Sequence, residues 1–173
     1  RTVTRVSPDK QIDLSGRWND TDAKLVAQEM IKDALGRTWR EVFFNKYNKK
    51  PTVIVGIITN KSSEHIESDV FIKEIQKEFI NSGTIRIVQN SEFREKLRSE
   101  RADQGQYASP ETATKWGKEL GADFMMFGTI NSITDVYNKK RTVFYKVNLE
   151  LTDMETNEIV WTGDKEIKKF IQN

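Results

Sequence analysis

Residues 123–168 read DFMMFGTINSITDVYNKKRTVFYKVNLELTDMETNEIVWTGDKEIK, and this stretch decides the fold. Phe124 to Thr129 is continuously apolar, with Gly128 marking a bulge or a close backbone approach, and the strand runs on towards Tyr137. Val143, Tyr145, Val147, Leu149 and Leu151 alternate with Lys146, Asn148, Glu150 and Thr152. A period of two is the mark of a strand with one buried face. Ile159 to about Lys168 is the last strand, with Trp161 sharing a parity with Ile159 and Ile167. Short polar connections at Asn138 to Lys140 and Glu155 to Asn157 fold these three strands into two hairpins. The chain therefore closes in an antiparallel meander.

Upstream of it the period is helical. Asn19, Asp20 and Thr21 offer N-cap oxygens, after which Val26, Met30, Ile31, Ala34, Leu35, Trp39, Val42 and Phe43 recur at spacings of three and four. Gly36 bends this helix or divides it, and Pro51 marks the exit. Thr52 to Thr59 is apolar on both parities, as in a strand covered on both faces and placed centrally in a sheet. A polar loop, Asn60 to Glu67, leads to a helix over Asp69 to Asn81 that Gly83 stops. Thr84 to Gln89 reads as a strand, and Ser91 to about Arg101 as a charged helix anchored by Phe93 and Leu97. Gln104 to Ala108 reads as a loop. Ser109 then caps a helix with Pro110 at its first position and Gly121 past its end. Helices in the first two-thirds followed by a meander define an α/β (α+β layered) domain, with helices packed on a mixed sheet of about five strands. Residues 1–12 are read as a tail able to add a short strand, and residues 13–173 as one globular domain.

The 173 residues hold 28 Lys plus Arg, 26 Asp plus Glu, one His and no Cys, for a net charge of +2. This balance describes a solvated surface and does not require a nucleic-acid partner. The absence of Cys removes disulfide scaffolds, Cys-based zinc sites, iron–sulfur clusters and thiol catalysis. No apolar run reaches the roughly 18 residues of a membrane span. Because the chain opens at Arg1 rather than Met, a trimmed or processed form is the expectation.

Candidate chemistry is sparse. His65 stands in a polar loop with no nucleophile signature beside it. Asp20-Thr21-Asp22 has the spacing of an aspartate phosphotransferase motif but opens a helix instead of following a buried strand, so capping is the simpler reading. No phosphate-cradling glycine motif follows a strand. Lys46 to Lys50 and Lys139 to Arg141 are basic loops without an aromatic recognition strand. Trp39 and Trp116, on the apolar faces of helices, are read as core. Trp18 either packs against the first helix or stands ready for a partner. No catalytic residue, cofactor or metal ligand is assigned.

At Gly16-Arg17-Trp18-Asn19-Asp20-Thr21-Asp22, Lys50 to Gly56, Gly117 to Asp123 and the closing Leu149 to Trp161, the chain resembles the LpoB-type penicillin-binding protein activators. The similarity runs from about Asp13 to the C-terminus. Related TolB-N-terminal-like and CsgG-like envelope domains share the motif Leu120-Gly121-Ala122-Asp123. The resemblance implies a non-enzymatic outer-membrane lipoprotein whose periplasmic domain docks on a bifunctional class A penicillin-binding protein and stimulates peptidoglycan synthesis. It also implies a monomer held at the membrane only by an N-terminal lipid anchor outside this sequence. The alternatives are a subunit of an envelope or secretion assembly, which would form rings, and a Mg²⁺ enzyme built on Asp20 and Asp22. Docking loops are expected at Asn60 to Ile66 and Arg101 to Tyr107. Glu64, His65 and Tyr107 are candidate contacts there, together with Arg94, Arg98 and Arg101, whose spacings of four and three gather them on one helix face.

Overall fold

A computed structural model describes residues 2–6, 16–104 and 109–172, with 98–104 and 172 described as backbone only. Its elements are α1 (Asp20–Leu35), α2 (Trp39–Tyr47), β1 (Thr52–Asn60), α3 (Ser68–Asn81), β2 (Arg86–Ile87), α4 (Ser91–Gln104), α5 (Pro110–Glu119), β3 (Phe124–Tyr137), β4 (Lys140–Asp153) and β5 (Ile159–Gln172). The sheet order is β2-β1-β3-β4-β5, with β1 parallel to both neighbours and the last three strands antiparallel. The expected mixed five-stranded sheet and closing meander are both present. Residues 2–6 form no strand, and the rest of the tail, 7–15, lies outside the described residues. No helix among the described residues is long and apolar enough to cross a membrane.

Local chemistry accounts for the helix ends. Asn19 caps α1 in a reciprocal box: its side chain accepts from the Asp22 N–H, and the Asp22 carboxylate accepts from the Asn19 N–H. Gly36 divides the first helical stretch, and Val42, expected on its apolar face, is 63% exposed because α2 starts on a new axis at Trp39. Ser109 and Pro110 start α5 as read. Strand β2 contracts to two residues, since only Thr52 and Val53 of β1 pair with it.

The main core lies between one sheet face and α1, α2 and α3, where Val26, Ile31, Phe71, Ile75, Phe79, Met126, Ile130, Leu149 and Leu151 are all buried. A smaller core on the opposite face joins Ile54 and Met125 to Phe93, Leu97 and Ala113 of α4 and α5. Trp116 only half-buries there, with the Lys96 ammonium over its ring. Gly128 is a close approach, because a Cβ would sit 2.4 Å from Leu149 Cδ2. The bulge itself is on β1, where Gly56 and Ile57 together oppose Phe127. A second irregularity pairs Thr152 with Ile159 and Leu151 with Trp161. It turns Ile159 outward, 57% exposed, while Trp161 enters the core, so the parity expected for these two residues is broken by the extra residue Val160.

Candidate functional site

The two-residue period of β4 and β5 brings a buried polar cluster to the start of α1. Along β5 the core-facing parity is that of Trp161, and it places Lys169 inside. The Lys169 ammonium donates to Asp22 Oδ2 at 2.5 Å and to the Arg17 carbonyl at 2.8 Å, and both ionic side chains are almost completely buried. On β4 the fully buried Tyr145 donates its hydroxyl proton to Glu64 and approaches the Gly16 carbonyl at 3.0 Å. The other Glu64 oxygen accepts from the Trp18 N–H at 3.1 Å. Trp18 packs edge-on against Tyr145 and Phe71, so it staples the chain to β4 and α3 rather than to its own helix. Four segments distant in sequence are thereby tied together: residues 16–22, the loop after β1, β4 and β5.

Burial, then the Glu64 hydrogen bond and charge, push the Tyr145 phenol well above its ordinary pKa. The phenol is neutral when protonated, so this contribution to stability is intact below about pH 10 and is lost as pH rises towards the folded value. Tyr145→Phe is expected to lose about 1–3 kcal/mol at neutral pH, because Glu64 is left without its donor. Its stability should also decline less steeply than that of the parent above pH 10. Urea unfolding at pH 7 and pH 11 measures both.

The expected contact residues are distributed unevenly. Glu64 is half-buried and spent on Tyr145 and Trp18, a holding role for the loop. His65, next to it, is 93% exposed with Glu67 3.9 Å away, so the clamp presents an otherwise solvated imidazole. Arg94 turns inward: its side chain is 13% exposed and its guanidinium donates to the Val55 and Gly56 carbonyls, both at 2.8 Å. Those carbonyls belong to the β1 bulge. The side chains of Arg98 and Arg101, and all of Tyr107, lie outside the described residues. Asp20 is exposed at the helix start while Asp22 is buried, so this pair does not converge. No group of three or more metal-ligating side chains occurs among the described residues.

Sequence reasoning does not single out Lys169, because a lysine beside Lys168 in a charged strand reads as surface. The signal was present in its parity, two-residue steps from Trp161 through Lys165 and Ile167. Beside it, β5 is tied to α1 by the Trp161 indole donating to Asp33 at 3.0 Å and by Lys165 with Glu29 at 2.7 Å. The Trp161 bond, then the Arg37 guanidinium, hold the Asp33 carboxyl below its usual range. On the opposite sheet face, a groove of about 1150 Å³ runs between α5 and β3–β4, with Ile57, Phe127, Met154 and Lys118 among its walls.

The fold and its clamp define a layered α+β domain in which a buried polar cluster fixes the loop after β1. The chain belongs to the LpoB family: the sequence profile described as peptidoglycan-synthase activator LpoB matches residues 22–167. Among solved structures it is similar to the LpoB C-terminal domain from Escherichia coli, with a TM-score of 0.58 and 14% identity over 86% of this chain and 99% of that one. The LpoB C-terminal domain from Salmonella enterica gives 0.56 and 13% over 88% and 99%. Lipoprotein GNA1162 from Neisseria meningitidis gives 0.51 and 12% over 69% and 83%. At these identities the likeness is one of fold. No curated protein sequence matches.

Proposed function

We propose that this chain is a non-enzymatic regulator that docks on a bifunctional class A penicillin-binding protein at the periplasmic face of the outer membrane and activates peptidoglycan synthesis. Membership of the peptidoglycan-synthase activator family over residues 22–167 carries this reading. The clamp around Tyr145 and Glu64 supports it, because a loop held by buried bonds costs little further ordering on binding. Docking raises the rate only if the domain binds the working conformation of the synthase better than the resting one. His65, Arg98, Arg101 and Tyr107 are the contact residues of this reading, with Glu64 holding the first of them in place. Arg94 joins them by its position on α4.

The test mixes the purified domain with class A synthases of the same organism and records complex formation and glycan synthesis from lipid II. Binding with a faster rate is expected, and no binding to any of them would remove the proposal. Reversing Arg98 and Arg101 to Glu should weaken the complex about tenfold or more without changing the melting temperature. Undiminished binding would remove those two arginines from the contact.

A further inference from the structure

Strand β3 has fourteen residues, but its parallel ladder with β1 ends at the pair Asn60–Ile130. Beyond that point β3 pairs only with β4, through to the hairpin turn after Tyr137. The Ile130 carbonyl accepts from the Lys61 N–H on the side of β1, and Ser63 N–H reaches the Ser132 hydroxyl at 3.2 Å. Backbone groups alternate in direction along a strand, so those of Thr134 and Val136 point the same way as those of Ile130. Among the described residues they meet no partner on that side. Ile133, Val136 and Tyr137 are 68%, 64% and 75% exposed along this stretch. An open edge with exposed Ile133, Val136 and Tyr137, no lysine or proline and Asp135 as its one charge is of the kind that folded proteins ordinarily protect more fully.

We propose that the edge of β3 from Ile133 to Tyr137 accepts an extended strand of a partner protein, one with carboxylates at its ends and an uncharged middle. Five residues span about 17 Å, and strand addition supplies main-chain hydrogen bonds while alternate side chains give specificity. The charges select the occupant. Exposed Lys61 stands at one end of the edge and exposed Lys139 and Lys140 at the other, with Asp135 between them. A second copy of this chain fits poorly: antiparallel self-pairing centred on Thr134 would set Lys139 of each copy against residue 129 of the other, which β1 already pairs through Thr59, and towards exposed Lys61. Ile133 lies against Phe144 across the hairpin, and Phe144 pairs in turn with Lys168 on β5. Exposed Phe170 lies in the next row on that face opposite Thr142, so incoming apolar side chains would meet Ile133 beside Phe144 with Phe170 on the diagonal.

The proposal rests on the reading of the domain as a protein-docking module, but it is tested apart from any synthase. The probe is a blocked octapeptide, Glu-Val-Thr-Val-Thr-Val-Thr-Glu, titrated into the labelled domain and followed by amide resonances. The Thr134 and Val136 amides should shift, and the same peptide with Lys at both ends should bind about tenfold more weakly or worse. Thr134→Pro removes an outward N–H that the β4 ladder does not use, so it should abolish the shifts and leave the melting temperature unchanged. The double reversal Lys61→Glu with Lys139→Glu, which touches no core residue, should invert the preference between the two peptides. No shift at these amides, or binding indifferent to the proline and to peptide charge, overturns the proposal. Synthase binding that survives Thr134→Pro would remove the edge from that contact and leave the activator reading; peptide binding with no synthase binding would do the reverse.

Discussion

Lys169→Met lowers the stability of the domain by about 3–5 kcal/mol, the loss typical of a buried ion pair deprived of one partner. The Asp22 carboxylate then keeps its cap on Asn19 but carries an uncompensated charge at 1% exposure. For a domain of this size the fall in melting temperature is roughly 6–20 °C. Pairing the change with Asp22→Asn, which preserves an acceptor for the cap, removes the orphaned charge and should recover most of the loss. Urea unfolding of the parent, both single variants and the double gives the coupling directly. A single-variant cost below about 1 kcal/mol would show that water reaches the pair and that the clamp does not depend on it.

The consequence extends past stability, because the same cluster sets the loop that presents His65. Lys169 anchors the Arg17 carbonyl, the adjoining Gly16 carbonyl faces the Tyr145 hydroxyl, and Tyr145 and Trp18 share Glu64 between them. Loosening one end of this chain of bonds relaxes the other. A variant that weakens synthase binding through Lys169 therefore acts as a positioning change, and its effect should fade when binding is measured well below its lowered melting temperature.

Period carried most of the fold in sequence. The alternation in Val143 to Leu151 and the apolar run at Thr52 to Thr59 are strong because burial on one or both faces leaves a direct imprint on residue type. The capping of α1 and α5 was equally plain, since Asn19, Ser109 and Pro110 act within a few residues of themselves. What failed to show was whatever depends on a bulge. Val160 reverses the facing of Ile159, and beside the pairing of Gly56 and Ile57 against one residue the Val55 and Gly56 carbonyls accept from Arg94, thirty-nine and thirty-eight positions away. A single inserted residue shifts every later side chain to the opposite face without altering composition. The candidate site was legible in part for the same reason: His65 is exposed as a polar loop predicts, whereas Glu64 is drawn inward by Tyr145 and Trp18, partners from distant segments.

Arg94 tests the distinction between a contact residue and a structural one. Its guanidinium donates to the Val55 and Gly56 carbonyls from a side chain that is 13% exposed, and its ion pair with half-exposed Asp69 at 4.0 Å adds little in solvent. Arg94→Ala leaves both bulge carbonyls without this donor, each at about 1–3 kcal/mol, so a total of about 2–6 kcal/mol is expected. Both bonds come from one nitrogen, Nη1, so Arg94→Lys should recover part of the loss, because an ammonium with three N–H donors brought to the same point serves both carbonyls. The readout that separates the roles is the pairing of thermal unfolding with synthase binding. A structural Arg94 gives a large loss of stability with binding restored on cooling. An Arg94 that contacts the partner together with Arg98 and Arg101 gives weakened binding at a temperature where the variant is fully folded, and that outcome would return it to the arginine face.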